Sequence, residues 1–166
     1  MDPDAVDAGR FDRLRQDARR HVAARSYAEA ADLLEQALGL WRGPALADLR
    51  DAPFAESEVV HLEEDRLLAE EDAFDLELEL SRHQQIVSDL EERVRTHPTR
   101  ERFWGQLMVA LYRSDRQADA LTAYGRARGR LADELGIDPG EALRQLEVAV
   151  LRQDPSLTAP TPLPGR

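Results

Sequence analysis

The chain has no cysteine, so neither a disulfide nor a thiolate metal site can form. It also has no lysine and no asparagine, and Ile86 and Ile137 are its only isoleucines. All three residue types have AT-rich codons, so the bias points to a GC-rich genome and is silent on mechanism. Aromatic residues make up 5% of the chain, too few for a β-sandwich or barrel, whose strands lean on aromatic and β-branched side chains. There is no run of about 18 apolar residues to span a bilayer, and no charged-then-apolar leader. The expected compartment is the cytoplasm, and no membrane is expected among the partners.

What is present is charge, on a chain of 166 residues that fits one domain with a tail. Asp and Glu number 33 against 22 basic residues, all of them arginine, for a formal charge of -11. A DNA-binding surface must neutralise phosphates with Lys and Arg, and an acidic body repels the duplex unless its cations share one face. Direct nucleic-acid binding by this segment is not expected.

Helix punctuation is dense. Ser26 and Glu29 have capping-box spacing, in which the hydroxyl accepts one backbone amide and the carboxylate reaches back to another. Asp138, Pro139 and Glu141 fit an N-cap and first turn, and Gly136 stands where the preceding helix should stop. Pro44, Pro53 and Pro98 fall between apolar-periodic stretches. The pattern predicts helices near 10–24, 27–41, 54–81, 84–96, 100–114, 116–135 and 139–152, and no strand. Residues 154–166 contain Pro155, Pro160, Pro162 and Pro164 and read as a disordered tail after a domain at 4–153.

The helices come in pairs, and the pairs repeat. Ala120, Tyr124 and Ala127 stand 34 residues after Ile86, Leu90 and Arg93, which stand 56 after Ala30, Leu34 and Ala37. The extra 22 residues of the second interval fall around 42–63. A small–aromatic–small set at i, i+4 and i+7 lets the second helix of a hairpin approach the first closely. Trp104, Leu107 and Leu111 supply the facing stripe in the third unit. A period of 34 with these residue types is the tetratricopeptide pattern, well kept in the third unit and degraded in the second, where Arg93 replaces a small residue. The expected fold is therefore all-α: a tetratricopeptide-like right-handed stack of three helical hairpins with a C-terminal capping helix, whose Leu143, Leu146, Val150 and Leu151 face inward. Three unrelated hairpins is the alternative.

Three stretches go beyond a generic repeat: Leu40-Trp41-Arg42-Gly43-Pro44-Ala45-Leu46-Ala47-Asp48, the run Arg102-Phe103-Trp104-Gly105-Gln106-Leu107-Met108-Val109-Ala110-Leu111-Tyr112-Arg113, and Leu135-Gly136-Ile137-Asp138-Pro139-Gly140 with Leu151-Arg152-Gln153-Asp154-Pro155. In this order they closely resemble the bacterial transcriptional activator domain of the actinobacterial antibiotic regulatory protein family, over about residues 4–155. The resemblance implies a winged-helix DNA-binding domain just upstream. Asp4-Ala5-Val6-Asp7-Ala8-Gly9-Arg10-Phe11 resembles the hinge after that domain, with only Met1 to Pro3 before it. An excised fragment and a relative without the DNA reader both fit. Asp115 stands where a turn glycine is usual, and Gly125 and Gly129 stand inside a helix, each costing about 1 kcal/mol against alanine.

Catalytic chemistry finds no assembled site, so the chain is not expected to be an enzyme or to hold a cofactor. His21, His61, His83 and His97 are scattered without metal-ligand spacing, and His61 with Glu64 reads as a surface contact. There is no nucleophile elbow and no phosphate-binding glycine pattern. Arg126, Arg128 and Arg130 read as a solvated face because Asp133 and Glu134 follow.

On the tetratricopeptide template the first helix of each hairpin lines an inner groove. Those positions are Arg15 and Arg19, then Glu71, Asp75 and Glu79, then Arg102, Gln106 and Arg113. They form a candidate partner-binding groove, with an ordinary solvated helix face as the alternative. The resemblance implies protein partners: the chain's own DNA-binding domain, RNA polymerase or a regulatory protein, or a second copy in a homodimer. A free-standing tetratricopeptide adaptor that holds a peptide in its groove is the second functional reading.

Overall fold

The computed structural model describes residues 3–41 and 55–160. Among them are seven α-helices and no strand. They are α1 (Pro3–Ala23), α2 (Tyr27–Gly39), α3 (Ala55–Glu79), α4 (Val87–Thr96), α5 (Glu101–Arg113), α6 (Gln117–Leu135) and α7 (Glu141–Arg152), followed by a 3-10 turn at Pro155–Leu157. The all-α expectation holds. Pro44, Pro53 and the Arg42–Asp48 part of the first family-like stretch lie outside the described residues.

The chain forms two compact units, with the division inside α3 after Leu76. In the first, α1 and α2 form a hairpin on which α3 packs. Ala30, Leu34 and Ala37 are all buried, as the repeat requires of a close-packed second helix. Ala30 and Leu34 cluster with Ala18 of α1 and Leu76 of α3, while Ala37 joins Phe11 and Ala69. In the second unit, α5 and α6 form the hairpin. Phe103, Trp104, Leu107, Met108 and Leu111 of α5 are buried, as are Ala120, Tyr124 and Ala127 of α6. Helix α4 buries Leu90 and Val94, so the packing position expected at Arg93 passes to its neighbour. In α7 Leu143 and Val150 are buried, but Leu151 is 58% exposed and not on the inner side.

The helix ends repeat as well. Arg25, Ser81, Asp115 and Gln153 have positive φ of 57°, 60°, 60° and 52°. Each closes an odd-numbered helix, and the next amide returns to the last turn: Ser26 to His21, Arg82 to Glu77, Arg116 to Leu111 and Asp154 to Ala149. This six-to-one bond satisfies carbonyls a helix end otherwise leaves open. The first three stand 56 and 34 residues apart, the intervals of the core repeat.

Two caps differ from expectation. Ser26 is the N-cap of α2, but its side chain makes no capping bond. Its backbone closes α1, and ψ of 69° is not the extended value that aims the hydroxyl at the first turn. Helix α7 starts at Glu141 with Gly140 as N-cap, not at Pro139. Gly140 N–H donates to the Glu101 carboxylate of α5 at 2.8 Å, so a tertiary partner does the work assigned to Asp138.

Candidate interaction surface

The chain's acidity is concentrated. Helix α3 carries eleven carboxylates and one arginine, nearly the whole excess of the protein. Ala69 and Leu76 of α3 pack against α1 and α2, and its acidic residues are exposed or half-buried apart from the buried Glu70 and Glu71.

In the first unit, the candidate groove residues divide by burial. Arg15 is 7% exposed and its guanidinium donates to Asp65 of α3 at 2.8 Å while lying over the Phe11 ring. Phe11 in turn meets Trp41 edge to face at 5.4 Å, and Arg66 lies over Trp41. Arg15 therefore serves an internal pair, and Asp65, which spacing alone did not single out, is its partner. Glu71 is buried and Asp75 half-buried, whereas Arg19 is exposed. His61 is exposed and lies 3.5 Å from Asp65.

In the second unit, Gln106 is buried among the α5 core residues, while Glu79 and Arg102 are exposed. Arg113 has a more specific role. Its Nη1 donates to the Leu78 carbonyl at the end of α3, and its Nε donates to the Leu157 carbonyl, both at 2.8 Å. Burial pulls the guanidinium below its ordinary pKa, and the Glu79 charge opposes that shift. Two neutral acceptors hold a cation that is already partly stripped of water.

The Leu157 carbonyl belongs to the segment read as a tail. Asp154 caps its 3-10 turn by accepting the Ser156 amide, Leu157 is 8% exposed, and the Ser81 hydroxyl donates to the Pro160 carbonyl at 2.9 Å. Beside this strap lies an open cleft of about 370 Å³, lined by Tyr112, Arg113, Asp115, Gln117, Gln153, Thr158 and Ala159. Residues 161–166 lie outside the described residues.

The α6 arginines do not gather into a cationic patch. Arg126 lies over the Trp104 ring and pairs with Glu91, and Arg130 pairs with Glu134. Among the described residues no helix is long and apolar enough to cross a membrane.

The model of the bacterial transcriptional activator domain matches residues 6–151. The transcriptional regulatory protein EmbR of Mycobacterium tuberculosis is 44% identical over 149 residues, 90% of this chain and 38% of that protein. The transcriptional regulator RedD of Streptomyces coelicolor is 42% identical over 163 residues, 98% of this chain and 46% of that protein. A solved structure of EmbR in complex with a low-affinity phosphopeptide superposes with a TM-score of 0.88 at 43% identity, covering 93% of this chain and 41% of that one. The chain thus spans less than half the length of these relatives.

Proposed function

Because the chain belongs to the bacterial transcriptional activator domain family of the actinobacterial antibiotic regulatory proteins, we propose that it is the regulatory, protein-interaction part of a transcription activator. DNA is then read by a winged-helix domain, and this part, residues 4–153, relays contact with that domain, RNA polymerase or a regulatory partner. The observation that carries the reading is the family match over residues 6–151.

Charge supports this division of labour. The carboxylates of α3 repel a duplex, and the α6 cations Arg126 and Arg130 are already paired. The protein-facing role also draws on EmbR, whose solved complex holds a phosphopeptide. We assign the chain no catalytic step, and a cytoplasmic setting follows from its role.

Of the candidate groove residues, we propose as partner contacts the exposed Arg19 in the first unit and, in the second, the exposed Glu79 and Arg102 with Arg113 at the edge of its cleft. Arg15, Glu71 and Asp75 in the first unit and Gln106 in the second are more buried. The test compares promoter binding by this chain with that of a version extended upstream by a winged-helix domain. The extended protein should bind a specific promoter and the short chain should not. Equal affinity would overturn the assignment.

A further inference from the structure

We infer that Pro155–Pro160 is a tethered occupant of a docking track along the ends of α7, α5 and α3, and that an extended segment of a partner protein, with an aliphatic residue between prolines, competes with it for that track. The inference rests on the chain being a protein-interaction module.

The repeat locates the track. Gln153 closes α7 as Asp115 closes α5 and Ser81 closes α3. After Arg25 and Asp115 the chain enters the second helix of a hairpin within two residues. After Gln153 it meets Asp154 and Pro155, makes one 3-10 turn, and turns back along the other helix ends. It reaches Arg113 near the end of α5 through the Leu157 carbonyl, then Ser81 just past α3 through the Pro160 carbonyl.

Recognition here uses groups that any extended peptide carries. Two side-chain donors take backbone carbonyls, and one aliphatic side chain, Leu157, is buried. Neither contact reads a feature unique to this chain's own segment. An extended, proline-restrained ligand gives up little conformational entropy on docking, which favours a partner of that kind.

The hold is also slight. Leu157 is the buried residue of the strap, while Ser156, Thr158 and Pro160 are exposed. The cleft of about 370 Å³ beside Thr158 and Ala159 shows that the strap does not fill the space it borders. Segments with few buried apolar contacts open locally, well below the free energy of global unfolding. When the strap leaves, Arg113 keeps Leu78 as one acceptor and presents its Nε to the incoming carbonyl.

Two measurements on the full chain test this. Hydrogen exchange should release the Leu157 and Thr158 amides at least about a hundredfold faster than the Leu107 and Leu111 amides of the α5 core. Exchange of both sets at one common rate would make the strap part of the core and overturn the proposal. The second is fluorescence anisotropy with a labelled heptapeptide of sequence Asp154 to Pro160. It should bind the Leu157→Glu chain at least about tenfold more tightly than wild type, and adding Arg113→Gln should remove that gain. Equal binding to both chains, or none to Leu157→Glu up to the roughly millimolar local concentration a short tether supplies, would overturn it. Retained α5 exchange protection in Leu157→Glu shows that the variant folds. Promoter binding uses a different ligand, so it and this titration can fail independently.

Discussion

The Arg15 guanidinium of α1 donates to the Asp65 carboxylate of α3 at 2.8 Å, with side chains 8% and 19% exposed. The two lie fifty residues apart in sequence, so the pair holds α3 on the first hairpin through a contact that local helix formation cannot supply. Removing one partner of such a pair strands the other in a poorly solvated place. Arg15→Ala should therefore cost about 3 kcal/mol, part of it from lost packing of the arginine stem on Phe11. Asp65→Asn keeps the shape and one acceptor and should cost less. Urea unfolding of both variants and of the double mutant measures the pair, with a coupling of at least about 1 kcal/mol expected. Additive losses would mean that the ion pair contributes nothing beyond packing.

Asp115 is held at φ of 60°, the left-handed region that non-glycine residues occupy at a cost. Asp115→Gly removes that strain while keeping the Arg116 to Leu111 closure of α5. The variant should be more stable by about 0.5–1 kcal/mol, read as a higher melting temperature. The reverse change at the end of α6, Gly136→Ala, puts a Cβ at φ of 67° and should lower stability by about 1 kcal/mol.

Much of the fold was readable because core packing repeats by residue type. Ala30, Leu34 and Ala37, and again Ala120, Tyr124 and Ala127, mark buried faces at the spacing of a close helix pair. The turns repeat at those same intervals, yet Arg25, Ser81 and Asp115 share no residue type and none is glycine, so their common geometry leaves no signature. Arg15 was placed on the correct helix, but its partner comes from a long-range contact that no spacing encodes. The stretch from Asp154 to Pro160 reads as disordered by composition. Its docking depends on one side chain, Leu157, and on Arg113 and Ser81 far upstream. Composition averages over a segment, whereas anchoring needs only one well-placed residue.

Gly125 and Gly129 lie on the exposed face of α6, and a Cβ built at either meets nothing within 4 Å. Among the described residues they serve no close approach, so their helix-breaking tendency is uncompensated. Gly125→Ala and Gly129→Ala should each stabilise the protein by about 0.5–1 kcal/mol, and the two gains should nearly add. Thermal unfolding monitored by circular dichroism reads both. A loss at either position would show that α6 is packed against something other than solvent.

Acid should loosen the strap through one carboxylate. Asp154 accepts the Ser156 amide at 2.8 Å, and that bond, with the Ser156 hydroxyl and the Arg152 charge, holds its pKa below the ordinary carboxylate value. A group whose pKa is depressed by folding favours the folded form above its unfolded pKa, and that contribution disappears as pH falls through the lower, folded value. The cap should therefore be intact at neutral pH and fail only in acid stronger than a free aspartate requires. An NMR titration of the Asp154 carboxyl carbon should show this, with the Ser156 amide shift following the same midpoint. Asp154→Ala should abolish the acid transition of the Ser156 amide and speed exchange at Leu157 even at neutral pH, leaving the α5 core unchanged. A carboxyl that titrates at the ordinary value while the amide shift stays flat would mean that the turn is held by Leu157 and Arg113 alone.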